Sequence, residues 1–392
     1  MKRLLIYGGS FNPPHIGHAD ALRCARKELD PDRTLVIPGA VPPHKQPAAG
    51  SPDSSIRLEL CRLAFGKLPG VEVSDMELQR GGISYSVDTL EALREQYPGW
   101  ELIFLMGTDM LLSLPAWHRP ERIMELATVA VLPREKGETE EIERIAEQLR
   151  REYGAKVRIV SKRPLPLSST EVRAALPERG GREYLRGDVY ADIIRRRCYG
   201  ARPELAWLRE DSGRFLKKKR IPHVRGCEQT AAELAVIHGA DPDTAAEAAI
   251  LHDVTKKLSE DEQLRLCEKY DIIMDTAERA EPKLWHAITG AAFARAQYGA
   301  DEAVCTAIRW HTTGRAGMST LEKIIYLADT IEPNRDYPGV EELRQTARAD
   351  LDEAMIRALQ MSNDVVSARG DTPHRHSMEA LEWSLREKGR LL

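Results

Sequence analysis

The 392-residue sequence contains no apolar run approaching the roughly 20 residues that a membrane helix needs, so no helical membrane span is expected. It also lacks charge imbalance: 57 Lys and Arg against 61 Asp and Glu leave a net charge of −4. Nothing in that balance calls for nucleic acid or an anionic membrane as partner. The six cysteines (Cys24, Cys61, Cys198, Cys227, Cys267 and Cys305) are scattered and form no CxxC pair. They mark no disulfide framework and read as reduced, mostly buried thiols of a cytoplasmic protein. Neither GxxxxGK[ST] nor GxGxxG occurs, which argues against a P-loop enzyme or a dinucleotide-binding dehydrogenase. There is no internal repeat and no low-complexity tract, and no targeting segment is expected, because the first predicted strand begins at once. The basic run Lys217-Lys218-Lys219-Arg220 reads as a solvated loop or helix end.

What is present is a chain too long for one ordinary core, and its pattern changes midway. The first half alternates short apolar runs with amphipathic stretches. Strands are predicted at 3–7, 34–38, 71–74, 101–106, 128–132 and 157–160, and helices near 16–28, 54–65, 86–96, 138–153 and 169–176. Such alternation implies right-handed βαβ units and a parallel, Rossmann-like α/β sheet covered on both faces. Past about Gly200 the periodicity becomes helical throughout, with Pro203 at the junction. The expected architecture is an α/β domain over residues 1–201 and an all-α bundle over 202–392.

In the first half, the notable polar clusters follow the predicted strands, where ligands of open parallel sheets bind. Gly8-Gly9-Ser10-Phe11-Asn12-Pro13-Pro14-His15-Ile16-Gly17-His18 runs from strand into helix. The glycines allow close backbone approach, and the helix start offers N–H groups to phosphate. His15 and His18, three apart, share a face of the first turn. Lys45 follows a Pro-Pro turn as a mobile cation; Gly107-Thr108-Asp109 closes another strand. Ser168-Ser169-Thr170-Glu171-Val172-Arg173 reads as a capped helix start that adds a fixed charge. These groups suit transfer of a nucleotidyl group, in which charge develops on phosphoryl oxygens and no protein nucleophile is required.

The second half disperses His223, His252, Asp253, His286, His311 and Asp329 through helical segments, several closing apolar runs. Burying so many polar groups without partners is costly, and a shared metal resolves the problem. Imidazole and carboxylate ligands suit Fe, Mn, Co, Ni or Zn, and six suffice for two ions with one bridging carboxylate. Such a pair polarises a phosphoryl group and generates hydroxide from water. Lys256 follows His252 one turn later on nearly the same face.

GGSFNPPHIGH, PPHK, ISYSVDTL, MGTDMLLSLPAWHRPERI and PLSSTEVR together resemble bacterial nicotinate-nucleotide adenylyltransferases of the HxGH nucleotidylyltransferase superfamily, over about residues 1–200. The resemblance implies conversion of ATP and nicotinate mononucleotide to deamido-NAD and pyrophosphate, with Mg²⁺. It assigns His15, His18, Lys45 and Arg173 to the ATP phosphates. Gly8, Gly9, Ser10, Phe11, Asn12, Gly107, Arg134, Ser168, Ser169 and Thr170 are then expected to bind nucleotide. Ser86, Asp109 and Trp117 would line the mononucleotide pocket, Trp117 stacking on the pyridine ring. Ser86 stands where the family pattern has threonine, and Leu167 precedes the serine pair.

ILHDVTKKL, WHAITGAAFA, IRWHTTGRAGMS, LEKIIYLADTIEPNRDYPGV and RIPHVRGC resemble the HD-domain phosphohydrolases, most closely the symmetrical bis(5′-nucleosyl)-tetraphosphatases, from about Lys218 to Ser367. That implies hydrolysis of diadenosine tetraphosphate to two ADP at a di-metal centre, with iron expected. The six residues above fall on its ligand positions. Asp253 and Lys256 would carry the chemistry, and Lys256, Arg315 and Arg335 match basic positions for polyphosphate. Thr255 replaces a smaller residue. His374 and His376 fall outside the pattern and read as surface residues; His44, His118 and His238 receive no metal role. Small nucleotides are the expected partners, and a homo-oligomeric state stays open. Two alternatives also stay open: another acceptor such as phosphopantetheine for the first half, and for the second a non-hydrolytic nucleotide sensor or specificity for other nucleotides.

Overall fold

Leu4, Leu5 and Ile6 of β1 (Arg3–Gly9) are all at most 1% exposed, as a central strand covered on both faces requires. The computed structural model describes residues 1–41, 48–133 and 137–391, and the chain divides into two units, Met1–Arg202 and Pro203–Leu392.

In the first unit, β1 is followed by α1 (Ile16–Leu29), β2 (Arg33–Pro38), α2 (Ser54–Phe65), β3 (Val71–Val73), α3 (Met76–Arg80) and α4 (Ser86–Gln96). Then come β4 (Glu101–Gly107), α5 (Thr108–Ser113), α6 (Pro120–Leu126), β5 (Thr128–Leu132) and α7 (Glu138–Tyr153). β6 (Val157–Ile159), α8 (Ser169–Ala175) and α9 (Gly187–Arg196) complete the unit. The six strands form one parallel sheet in the order β3-β2-β1-β4-β5-β6. This is the Rossmann-like arrangement expected from the alternation. Its order reverses between β1 and β4, the position at which such sheets open a crevice.

Strand alternation feeds two cores. Leu4 and Ile6, with Leu102, Phe104 and Met106, enter one face; Leu5, with Ile103 and Leu105, enters the other. α7 buries Ile142, Ala146 and Leu149, spaced as one helical stripe, and ends at Gly154 in the left-handed region. β1 and β4 run further than expected, because Gly8, Gly9 and Gly107 still pair with Ile37, Pro38 and Leu132. Glycine is a poor strand former, so composition stops the prediction early although neighbouring strands continue the ladder.

The second unit is helical throughout its described residues: α10 (Leu205–Gly213), α11 (Ile221–Ile237), α12 (Pro242–Leu251), α13 (Glu260–Lys269), α14 (Thr276–Ala280) and α15 (Trp285–Tyr298), then α16 (Glu302–Trp310), α17 (Thr320–Ile331), α18 (Val340–Ala349), α19 (Leu351–Ala368) and α20 (Arg375–Glu387). α12 buries every residue from Ala245 to Leu251, so it is a central helix rather than an amphipathic one, and it packs on α11, α16 and α17. His374 and His376 are half-buried, not surface residues: His374 caps α20, and the His376 ring lies 5.0 Å from that of Trp310. All six cysteines are free and buried. Among the described residues, no helix is long and apolar enough to cross a membrane.

Two candidate sites

At the β1–β4 reversal lies a cavity of about 1200 Å³. Its lining includes Gly8 and Gly9 at the end of β1, Ser10, Phe11 and Asn12 after it, His15 just before α1 and His18 on it, Gly107 at the end of β4 and Asp109 after it, Ser86 and Trp117, and Ser168, Ser169, Thr170 and Arg173 at the start of α8. The structure thus brings together every site residue expected of the first half that it describes. Lys45 and Arg134 lie outside the described residues.

His15 is the extended residue preceding α1, and its backbone N–H donates to His18 Nδ1 at 3.2 Å. That bond uses Nδ1 as acceptor, so the neutral His18 ring carries its proton on Nε2. The two rings stack with centroids 3.7 Å apart. A Cβ at Gly17 would meet His15 Nδ1 at 3.0 Å and Leu167 Cβ at 3.1 Å, a physical reason for glycine between the histidines.

Several expected contacts serve the protein itself. Ser168 and Glu171 form a reciprocal cap on α8, Ser169 Oγ donates to the Pro13 carbonyl at 3.0 Å, and Thr170 Oγ1 accepts from Arg173. Arg173 also donates to the Asn12 carbonyl at 2.6 Å, and the Tyr199 hydroxyl donates to Asn12 Oδ1 at 2.8 Å. Asn12 and Arg173 therefore hold the loop after β1 against α8. Trp117 packs edge-on to Phe104 and donates Nε1–H to Ser113.

Two contributors were missed. Buried Arg57 donates to the carbonyls of Ser10, Gly39 and Ala40, tying together the loops after β1 and β2. Glu77 lines the cavity and accepts from Thr89 at 2.7 Å; burial raises its pKa above the ordinary carboxylate value. Neither residue lies in a motif, and only the folded chain brings them to the loops.

In the second unit, the helix ends deliver His223 (α11), His252 and Asp253 (after α12), His286 (α15), His311 (after α16) and Asp329 (α17) to one cluster. His223 Nε2 lies 3.3 Å from His252 Nε2 and 3.0 Å from Asp329 Oδ1; His286 Nε2 lies 3.2 Å from His311 Nε2. Asp253, 0% exposed, stands between the pairs. Its Oδ2 is 3.3 Å from His252 Nε2 and 3.9 Å from His223 Nε2, while Oδ1 is 3.3 Å from His286 Nε2 and 3.9 Å from His311 Nε2.

The opposite ring nitrogens settle the tautomers. Nδ1 of His252, His286 and His311 reaches the carbonyls of Ala249, Lys283 and Ile308 at 2.7 to 2.8 Å, and His223 Nδ1 reaches Glu332 Oε1 at 3.1 Å. Each Nδ1 is therefore the donor, which directs the four Nε2 lone pairs inward, too close together to be neighbours without an intervening charge. Asp253 Oδ1 is buried with no hydrogen-bond partner. This donor set fits divalent metal ions.

Protons compete with a metal ion for the same Nε2 atoms, and a protonated ring holds its carboxylate neighbour in the charged form. Burial raises the Asp253 carboxyl, but the charge and hydrogen bond of His252, with His286 and His311, hold it well below the usual range. Asp329 is likewise held low against its burial, by its hydrogen bond to His223 and the charge of His252. Burial, then the charges of His252 and His286, lower His311 to about 3. Burial also works against protonation of His252, yet the Asp253 carboxylate raises it.

Of the expected basic residues, Lys256 places Nζ 2.9 Å from His286 Nε2, and burial lowers its pKa. Arg335 donates to Asp329 Oδ1 at 2.6 Å. Arg315 instead forms a two-bond pair with buried Glu322, at 2.6 and 3.0 Å. Arg220, expected to be solvated, reaches inward to Asp253 Oδ2. Glu332 was also missed, although Gly226 signals it: a Cβ there would sit 2.3 Å from Glu332 Oε2, so α11 needs glycine to let this carboxylate reach His223.

The first unit is thus a Rossmann-like nucleotide-binding fold, and the second a helical domain with a candidate metal centre. The cytidylyltransferase-like family matches residues 6–175 and the HD domain family residues 220–334. A "Probable nicotinate-nucleotide adenylyltransferase" from Gemmatimonas aurantiaca is 36% identical over 48% of this chain and 85% of its own length. The symmetrical bis(5′-nucleosyl)-tetraphosphatase of Bacillus subtilis is 42% identical over 37% of this chain and 77% of its own length. A solved structure, described as a predicted HD superfamily hydrolase involved in NAD metabolism from Clostridium acetobutylicum, is 34% identical over 46% of this chain and 97% of its own, with a TM-score of 0.45. The chain therefore belongs to the nicotinate-nucleotide adenylyltransferase family through its first unit and to the HD-domain family, alongside the symmetrical tetraphosphatases, through its second.

Proposed function

We propose that the chain is a bifunctional enzyme whose first domain adenylylates nicotinate mononucleotide and whose second hydrolyses diadenosine tetraphosphate to two ADP. The reading divides the chain into residues 1–201 and 202–392. The observation that carries the first activity is the cavity uniting His15 and His18, at the start of α1, with the start of α8, beside an aromatic wall at Trp117. In this reading the mononucleotide phosphate attacks the α-phosphorus of ATP as the bond to the β-phosphate oxygen breaks and pyrophosphate departs. His18 donates from Nε2 to a phosphate oxygen, and His15, Lys45 and Arg173 supply further donors and positive charge; Mg²⁺ accompanies ATP. Because the attacking phosphate is already anionic, the domain needs no general base. Full-length protein given ATP with nicotinate mononucleotide, nicotinamide mononucleotide or phosphopantetheine tests this. Deamido-NAD is the expected main product, and transfer only to another acceptor rejects it.

For the second domain, the supporting observation is the inward aim of four Nε2 lone pairs around Asp253. His223, His252 and Asp329 would hold one ion, His286 and His311 another, with Asp253 between. Transition-metal ions held there would polarise a phosphoryl oxygen and acidify water. Lys256 and Arg335, beside the ligands, are placed to meet polyphosphate charge; Arg315 serves chiefly to fix the loop ahead of α17. Incubation of metal-loaded protein with dinucleoside polyphosphates is the test. ADP is the expected sole product from diadenosine tetraphosphate, and an intact substrate rejects hydrolysis in favour of sensing.

A further inference from the structure

The first unit ends in the short turn Cys198–Gly200, and the middle residue of that turn stands in an unfavourable conformation. Tyr199 has a φ of 62° and a ψ of 18°, a left-handed geometry that a bulky side chain adopts only where its surroundings impose it. Two contacts impose it. The Tyr199 N–H donates to the Gly50 carbonyl at 2.7 Å, an approach so close that a Cβ on Gly50 would meet Tyr199 Cα at 3.2 Å. The ring is 5% exposed, and its hydroxyl donates at 2.8 Å to Asn12 Oδ1, 187 positions earlier in the chain. Burial raises the phenol pKa above its ordinary value, so the hydroxyl remains a donor. Asn12 is where three segments meet. Besides Tyr199 at Oδ1, its Nδ2 donates to Ser51 Oγ at 2.8 Å, and its carbonyl accepts from Arg173 at 2.6 Å. Asn12, Ser51 and Arg173 line the cavity, whereas Tyr199 is outside its lining. The same stretch is also fixed just after α8, where the Arg202 N–H donates to the Leu176 carbonyl at 3.0 Å.

We propose that Tyr199 is a positioning residue for adenylyl transfer: with Ser51 it clamps the Asn12 amide from both sides, and so fixes the loop leading into His15 and His18 relative to Arg173 of α8. The inference rests on reading the cavity as the adenylyl-transfer site. Tyr199 forms no bond to substrate and acts through Asn12. Phosphoryl transfer depends chiefly on how accurately charged donors meet the phosphate oxygens, and a small shift of this loop against α8 misplaces several of them together. Trp117, held by Phe104 and Ser113, takes no part in the clamp. Loss of the clamp is therefore felt in turnover rather than in binding of the mononucleotide.

The test is steady-state kinetics of deamido-NAD formation by full-length Tyr199→Phe, Asn12→Ala and the double variant, with thermal unfolding of each as the control on folding. Expected are a kcat about 10-fold lower in Tyr199→Phe, a KM for nicotinate mononucleotide within about 2-fold of the unaltered protein, and a double variant no slower than Asn12→Ala. A purely structural role would lower the unfolding temperature without that split or that non-additivity. An unchanged kcat in folded Tyr199→Phe, or losses that multiply in the double variant, overturn the proposal and leave the transfer site standing. Should Tyr199→Phe not fold, Ser51→Ala frees the other side of the same amide: a lowered kcat there supports the clamp, and an unchanged one overturns it. An unaltered protein that transfers adenylyl to no acceptor overturns the reading of the cavity, and the proposal with it.

Discussion

The first unit presents its polar groups from strand-end loops and helix starts around an open cavity of about 1200 Å³, with Asp109 exposed within the lining. The second projects side chains from helix ends into a packed centre, where His252, His286 and His311 are at most 2% exposed. The difference follows from what each must hold. A pair of whole nucleotides needs room, and its charge is met by many modest donors around a wall. A metal ion needs a few lone pairs aimed at one point, and aim survives only if each ring is pinned from behind. The first site therefore distributes its task, whereas the second concentrates it.

The sharpest way to break this comparison is Asp253→Asn. It removes the carboxylate between the histidine pairs, so metal content should fall and tetraphosphate hydrolysis should drop about 10³-fold or more, with adenylyl transfer unchanged. Loss of both activities would deny the division of labour. Next, His18→Ala should lower kcat for deamido-NAD formation about 10²-fold while leaving hydrolysis intact. Steady-state assays of both reactions on one preparation make the comparison. Third, Glu332→Ala should weaken metal affinity about 10-fold to 100-fold by releasing His223 Nδ1, and Glu332→Gln should restore most of it. Chelator competition reads this directly; equal weakening in both variants would reduce Glu332 to a packing role. The smallest effect belongs to the distributed site. Trp117→Leu should raise KM for the mononucleotide about 10-fold through lost stacking, with kcat little changed.

Both halves of the architecture were legible because each carries a strong local signal. α2, α4 and α7 begin and end where expected, their apolar stripes and terminal residues agreeing. His15 and His18 stood out because they share a face where a glycine-rich strand end runs into a helix start, and the six residues of the candidate metal cluster because polar groups closing apolar runs call for partners. Arg220, Arg57 and Glu332 did not stand out, since their meaning depends on neighbours far away in sequence. Arg220 belongs to a basic run whose other members are exposed, and its inward turn to Asp253 appears only when α11 and α12 pack. The serine and threonine hydroxyls of α8 show the opposite error: a motif that reads as ligand contact is largely occupied with its own helix and loop.

The tethers behind the four imidazoles divide unequally along the chain. His252, His286 and His311 each lean on a carbonyl three residues earlier, within their own turn, whereas His223 leans on a carboxylate 109 positions away. Three corners of the centre are consequently oriented as soon as their helices exist. The fourth is oriented only once α11 and the end of α17 have met, so a fully aimed set of imidazoles is itself a report that these two helices have packed.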